Sequence, residues 1–349
     1  MLPPALPTTE EDVKLLRQHL EGFAAACISQ PMELNTDLKL VPYSELVAPF
    51  PTSDSHAVEA RGHKSVDGWT PRVPAAGEGW IELRLTRRIR TGRYRGFSQV
   101  YGGRFRPERP GDQEVIIKIF QFSCSRGFHD ARQFCEDDPK EWASHLSAHQ
   151  HEAWAYFKLK DLQGSVIPHI HGFFKVRLPH GEEAIALVME RIHRTTTLPL
   201  SKSYQTSPDA LEEVIKQLVS AVRKLVACDV VPADLAKRHI FWPELEGGKL
   251  GVPMIIDFGH IYKPTPDCKQ ILLVSTLQVL LQYRFDRNIV REYITTHLEP
   301  QSDICQGFDL TEYHTGEIQN IFEADGGHFS SDSDEEVADE PEADVEDQA

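Results

Sequence analysis

The amino-acid sequence predicts an α+β protein with a β-rich first half, an α-rich second half and a disordered acidic tail. Three observations carry that expectation. Apolar residues recur with period two in short runs between Trp80 and Met189, a helical apolar period sets in after Pro208, and residues 323–349 hold 12 acidic side chains and no Lys or Arg.

The elements follow in chain order. Thr9 with Asp12 three residues on predicts an N-cap for a helix whose apolar positions are Val13, Leu16, Leu20 and Phe23. From Gln30 to Gly79 the text is rich in Pro, Ser and Gly, which reads as a loop or linker, so residues 1–79 form an N-terminal helix and irregular extension. Strands are expected at Trp80–Leu85, Phe97–Phe105 and Glu114–Phe120, and three in succession imply an antiparallel sheet. A helix from about Pro139 to Leu162 ends at Gln163-Gly164, and strands follow at Phe173–Arg177 and Ala184–Met189. Beyond Pro208, Leu211, Val214, Ile215, Leu218, Val222 and Leu225 share one helical face.

The chain has 349 residues and 40% hydrophobic content, enough for a packed core. Of the net charge of −16, only −4 remains outside residues 323–349, so nothing in the overall charge calls for a nucleic-acid partner. No apolar run approaches the roughly 20 residues of a membrane span. The six cysteines are scattered without a C-x-x-C pair, as in reduced thiols of cytoplasm or nucleus, and the start lacks signal-peptide character.

The chemistry-bearing stretches begin with Met254-Ile-Ile-Asp257-Phe258-Gly259, an apolar strand that ends in a carboxylate and a glycine. Phosphoryl transfer needs a carboxylate fixed at such a strand end to hold Mg²⁺ against nucleotide phosphates. Twenty-three residues upstream, Asp234-Leu-Ala-Lys-Arg238-His239-Ile resembles the catalytic loop H-R-D-L-x-x-x-N of protein kinases. Val115-Ile-Ile-Lys118 resembles the V-A-I-K strand, and Glu152 stands on the next helix as the acidic partner of its lysine.

Together with E-x-x-x-Y-x-x-L-x-x-L-Q-G-x-x-I-P from Glu152 to Pro168, these stretches resemble the divergent protein-kinase-like family of filamentous fungi over residues 80–320. The resemblance implies a two-lobed fold: a small antiparallel β-sheet lobe over residues 80–190 and a helical lobe over 191–322, with residues 323–349 as a disordered tail. It implies ATP and Mg²⁺ as ligands. Asp234 would be the base facing the acceptor hydroxyl, Arg238 the support of its loop, and Asp257 the metal ligand, with His239 in the second metal position. Lys118 and Glu152 would hold the phosphates, while Gly92, Gly96 and Val100 cover them and the backbone of Met189, Glu190, Arg191 and Ile192 reads the adenine.

The pattern also departs from that family. Pro232 and Ala233 replace the His-Arg before Asp234, His239 replaces an asparagine, and Gly92 to Val100 lacks the spacing G-x-G-x-x-G-x-V. The chain after Gly259 leaves no room for a long activation segment. Three readings stay open: a weak phosphotransferase acting on a protein or small-molecule acceptor, a catalytically inactive pseudokinase that binds or scaffolds, and a small-molecule kinase. His145, His149 and His151 lack H-E-x-x-H spacing and read as helix-surface histidines rather than a zinc site. Six arginines between Arg84 and Arg95 read as a solvated basic face or a contact for phosphate or an acidic partner. In the tail, Ser331 and Ser333 precede acids at the spacing read by acidophilic kinases.

Overall fold

A computed structural model describes residues 9–30, 32–43, 71–72, 74, 79–90, 98–109, 112–121, 123, 139–192, 195–196, 207–243, 251–262 and single or short runs of positions between 265 and 292. The first helix, α1 (Glu10–Ser29), opens as its capping residues dictate. The Thr9 hydroxyl accepts from the Asp12 amide and the Asp12 carboxylate accepts from the Thr9 amide, each at 3.1 Å.

Six strands follow, interrupted by one long helix: β1 (Asp37–Pro42), β2 (Ile81–Arg90), β3 (Gln99–Arg106), β4 (Val115–Phe120), α2 (Pro139–Lys158), β5 (Ile170–Arg177) and β6 (Glu183–Glu190). All neighbouring pairs are antiparallel, and the order β1-β2-β3-β4-β6-β5 closes on itself as a barrel. Alternation sorts the side chains. Val115, Ile117 and Ile119 of β4 and Ala184, Ala186 and Val188 of β6 fill the barrel with Leu38, Leu40, Leu83 and Phe174. Phe120, Ile185, Leu187 and Met189 belong instead to the second core, which α2 and the later elements build.

That second core is centred on α3 (Pro208–Ala227). Ser207 caps it by accepting from the Ala210 amide at 3.3 Å, Pro208 occupies the first turn, and Leu211, Val214, Ile215, Leu218, Val222 and Leu225 are buried. Short strands come next: β7 (Thr195–Thr196) before it in the chain, then β8 (Val231–Pro232), β9 (Ile240–Pro243), β10 (Met254–Ile255) and β11 (Ile261–Tyr262). β9 pairs with β10 and β7, and β8 pairs with β11. The Ile255 amide donates to the Val166 carbonyl at 2.7 Å, which ties this unit to the turn after α2.

Two expectations are corrected. The two-lobed protein-kinase-like fold, with a small antiparallel β-sheet lobe and a helical lobe, is replaced by a closed six-stranded antiparallel barrel with α1, α2, α3 and further helical residues between 272 and 292. The physical cause lies in the segment read as a linker. Asp37–Pro42 is a strand, and it pairs with β2 through Leu38↔Leu83 and with β5 through Leu40↔Val176. A sheet of β2 to β6 alone would leave both edge rows of amides and carbonyls unpaired; β1 satisfies both while burying Leu38 and Leu40.

Smaller differences concern element ends. α2 stops at Lys158 and a 3-10 turn (Lys160–Leu162) intervenes before Gly164, whose φ of +77° and closeness to the His169 ring admit no side chain. The tail, the serines at 331 and 333, Gly92, Gly96 and the arginines at 93 and 95 lie outside the described residues. Among the described residues, no helix is long and apolar enough to cross a membrane.

Candidate functional site

Lys118 owes its position to the pleat. It sits between Ile117 and Ile119, which face the barrel interior, so its side chain leaves the outer face toward α2. There Glu152 is fully buried, and the Lys118 ammonium lies 2.6 Å from its Oε2 and 2.7 Å from Oδ1 of Asp257. One cation is shared by two carboxylates drawn from a helix and from the end of β10.

Asp257 adopts φ of +69°, the left-handed region that costs a non-glycine residue strain and that Asp tolerates better than most. Two backbone stitches hold it there. The Ile256 amide donates to the His239 carbonyl at 2.9 Å, and the Ala233 amide donates to the His260 carbonyl at 2.9 Å. Together with the β8–β11 and β9–β10 pairs they lock residues 231–240 against 254–262. His151 of α2 reaches the same corner, with Nδ1 3.1 Å from the Gly259 carbonyl.

The electrostatics separate the two acids. Burial pushes Glu152 up to about 7, with the Lys118 charge opposing it. Burial would also raise Asp257, but the Lys118 charge, then His239, hold it well below the usual carboxylate range. For Lys118 burial works against the ammonium, and the charges of Asp257 and Glu152 overcome it. Asp257 is therefore the permanent anion, while Glu152 sits near neutrality with its second oxygen unpartnered among the described residues.

At the mouth, both Asp234 oxygens accept from Arg238, at 3.0 and 2.8 Å, and the two side chains are about half exposed. His239 is buried, its Nδ1 2.8 Å from the Asp234 carbonyl and its Nε2 3.4 Å from Oδ2 of Asp257. Burial lowers the basicity of this imidazole, against the Asp257 charge. A cavity of about 90 Å³ opens on the group, lined also by Arg90, Ser98, Phe120 and His260.

Lys118, Glu152, Asp234, Arg238, His239 and Asp257 thus come together from four separate parts of the chain. Other residues marked in the sequence do not join the cavity lining. Val100 stands opposite Lys118 in register on β3 and is half-buried. Met189 is buried beneath Tyr156, and the Glu190 amide donates to the His169 carbonyl at 2.9 Å. Arg191 donates to Glu114 at 2.7 Å, and Ile192 is half-buried. The surface reading of His149 is corrected: it is buried between the rings of Tyr43 and Phe120. Among the described residues no three His, Cys, Asp or Glu side chains are grouped to hold a metal ion.

No family model matches the chain, and no curated protein matches it.

Sequence reasoning missed the contacts Lys118–Asp257 and His239–Asp257 and the cavity positions of Arg90, Ser98 and His260. Arg90 belongs to the arginine run and His260 directly follows Asp257-Phe-Gly, so proximity to marked residues was the signal for both.

Proposed function

We propose that this chain binds ATP by its phosphates at Lys118 and transfers the γ-phosphoryl group to a hydroxyl acceptor. The observation that carries the reading is the single buried ammonium held at 2.6 and 2.7 Å by Glu152 and Asp257. A cation so pinned is pre-oriented for phosphate oxygens, and positioning plus charge stabilisation is nearly all that phosphoryl transfer asks of a protein. In the transfer, the bond from γ-phosphorus to the β,γ-bridging oxygen breaks and a bond to the acceptor oxygen forms. The acceptor's proton passes to Asp234, and ADP leaves. Asp257 supplies one hard oxygen to a divalent cation, which when bound would screen the phosphate charge. Kinship with the protein-kinase-like family belongs to the same proposal and rests on the motif stretches around Lys118, Glu152, Asp234 and Asp257. We assign the protein to cytoplasm or nucleus on its scattered cysteines.

A second reading has one observation in its favour. Arg238 donates to both oxygens of Asp234, at 3.0 and 2.8 Å, which holds that carboxylate in an ion pair rather than turned toward an acceptor. In that case the protein binds nucleotide as a pseudokinase-type module without turnover.

Thermal melting with ATP, with and without a divalent cation, separates the readings when paired with an ADP-release assay. Wild type is expected to gain stability with nucleotide, and Lys118→Met and Asp257→Ala to lose at least about tenfold in affinity, one or two charge-assisted hydrogen bonds' worth. Equal affinity in all three proteins overturns the site. Binding without ADP formation leaves the module reading.

A further inference from the structure

We propose that the acidic tail, residues 323–349, docks on the arginine-bearing outer face of β2 and β3 in the same molecule. Charge and strand register support this contact independently of the phosphate-binding reading.

The face is built by the pleat. Ile81, Leu83 and Leu85 of β2 and Phe105 of β3 turn into the barrel, so Arg84, Arg104 and Arg106 turn outward. Register then places Arg84 directly across from Arg104, and the irregularity after Leu85 brings Arg87 opposite Gly102. Like charges directly opposite on one face destabilise a strand pair, so this surface gains from every carboxylate laid over it.

The acids of the sheet itself fall short of its arginines. Asp37 matches Arg84 one to one, through a fork at 2.7 and 2.6 Å. Glu114 is shared: Arg191 donates to it at 2.7 Å, while Arg87 comes only within 3.6 Å. Glu108 is shared likewise, by Arg106 at 3.0 Å and Arg104 at 3.9 Å. Two carboxylates thus serve four guanidinium groups. Arg87 and Arg104 are the distant member of each set, with side chains 47% and 52% exposed, and neither guanidinium donates a hydrogen bond among the described residues. A guanidinium fork fits a carboxylate, so the face presents two forks to further acids.

The chain carries its own supply. Residues 332–349 hold ten Asp and Glu side chains and no Lys or Arg. Thirty residues separate the tail from Glu292, the last described position, and at about 3.3 Å per extended residue reach does not limit the contact. Attachment favours this occupant over a separate acidic chain. Exposed ion pairs contribute little one at a time and hold a free peptide weakly, whereas tethering supplies the same acids at about millimolar effective concentration.

The test compares the tail signals of isotope-labelled full-length protein with those of a synthetic peptide of residues 323–349, by heteronuclear magnetic resonance in about 25 mM and about 1 M NaCl. In low salt the signals of residues 332–349 are expected to be displaced and broadened relative to the peptide. In 1 M salt, where exposed charges are screened beyond about 3 Å, they should coincide with it. Arg87→Glu with Arg104→Glu, checked for an unchanged melting profile, should give peptide-like signals in low salt as well. Arg87→Gln with Arg104→Gln repeats the comparison without adding charge, and tenfold dilution of the wild type should change nothing. Full-length signals that already match the peptide in low salt overturn the proposal. So do displaced signals that survive both double substitutions, or that vanish on dilution, since the tail would then lie elsewhere or on a second copy.

Discussion

Burial pushes the Glu152 carboxyl up to about 7 despite the lysine beside it, and that combination makes the protein's stability depend on pH in a definite direction. A carboxyl whose value rises from the usual 4.5 to about 7 on folding binds more protons in the folded state throughout that window, so stability falls as pH rises through it. The neighbouring Asp257 has the opposite sign: its value is lowered, so its contribution is present above the usual 3.8 and is lost as pH falls below it. Glu152→Gln, which fixes the neutral form, should therefore gain on wild type as pH is raised from 5 to 8. The ceiling is about 3 kcal/mol at about 1.4 kcal/mol for each pH unit between the two values. Urea unfolding of both proteins at several pH values measures this, and a constant difference would mean that Glu152 stays ionised throughout. These residues were legible as a set because each lies at a fixed offset from a glycine, a proline or an apolar strand. Their mutual contacts were not, since nothing local relates Lys118 to a carboxylate 139 positions away.

Among the elements, β3 carries the sharpest packing constraint. A Cβ on Gly103 would meet Cδ2 of Leu83 at 2.5 Å, and Leu83 is fully buried in the barrel interior. Gly103→Ala is expected to cost about 1–3 kcal/mol through overpacking, seen as a lower urea midpoint at unchanged slope. β2 shows why strand ends resist prediction. Its buried alternation Ile81, Leu83, Leu85 gives way to exposed Arg87 and Arg88 across register shifts, so the strand runs on to Arg90 where the apolar pattern has already stopped. The arginine run is partly satisfied within the sheet: Arg84 forks onto Asp37 at 2.7 and 2.6 Å, and Arg87 approaches Glu114 at 3.6 Å. β1 was hidden for the reverse reason. Only Leu38 and Leu40 are apolar and buried in it, and its surroundings in the sequence have loop composition. Its identity as a strand depends on two partners, β2 and β5, that no window around residues 37–42 contains.

At the scale of the molecule, barrel closure should govern solubility as well as stability. Removing residues 1–43 strips β1 from both partners and exposes the edges of β2 and β5, which other chains can pair with. The truncated protein is expected to self-associate at concentrations where the full chain stays monodisperse by analytical ultracentrifugation, and an equally monodisperse truncation would show that closure is dispensable. Leu40→Ala tests the same closure more gently, with an expected loss of about 2–5 kcal/mol for a fully buried leucine. The doubled pairing of β1 also sets an order in time. During synthesis Leu38 can meet Leu83 soon after both have left the ribosome, but Leu40 must wait for Val176, which on the order of ten seconds of translation separates from it. Through that interval the nascent barrel is a half-zipped sheet with a growing apolar inner surface, and Lys118 is already in place on β4 before either of its carboxylate partners, Glu152 and Asp257, has been made.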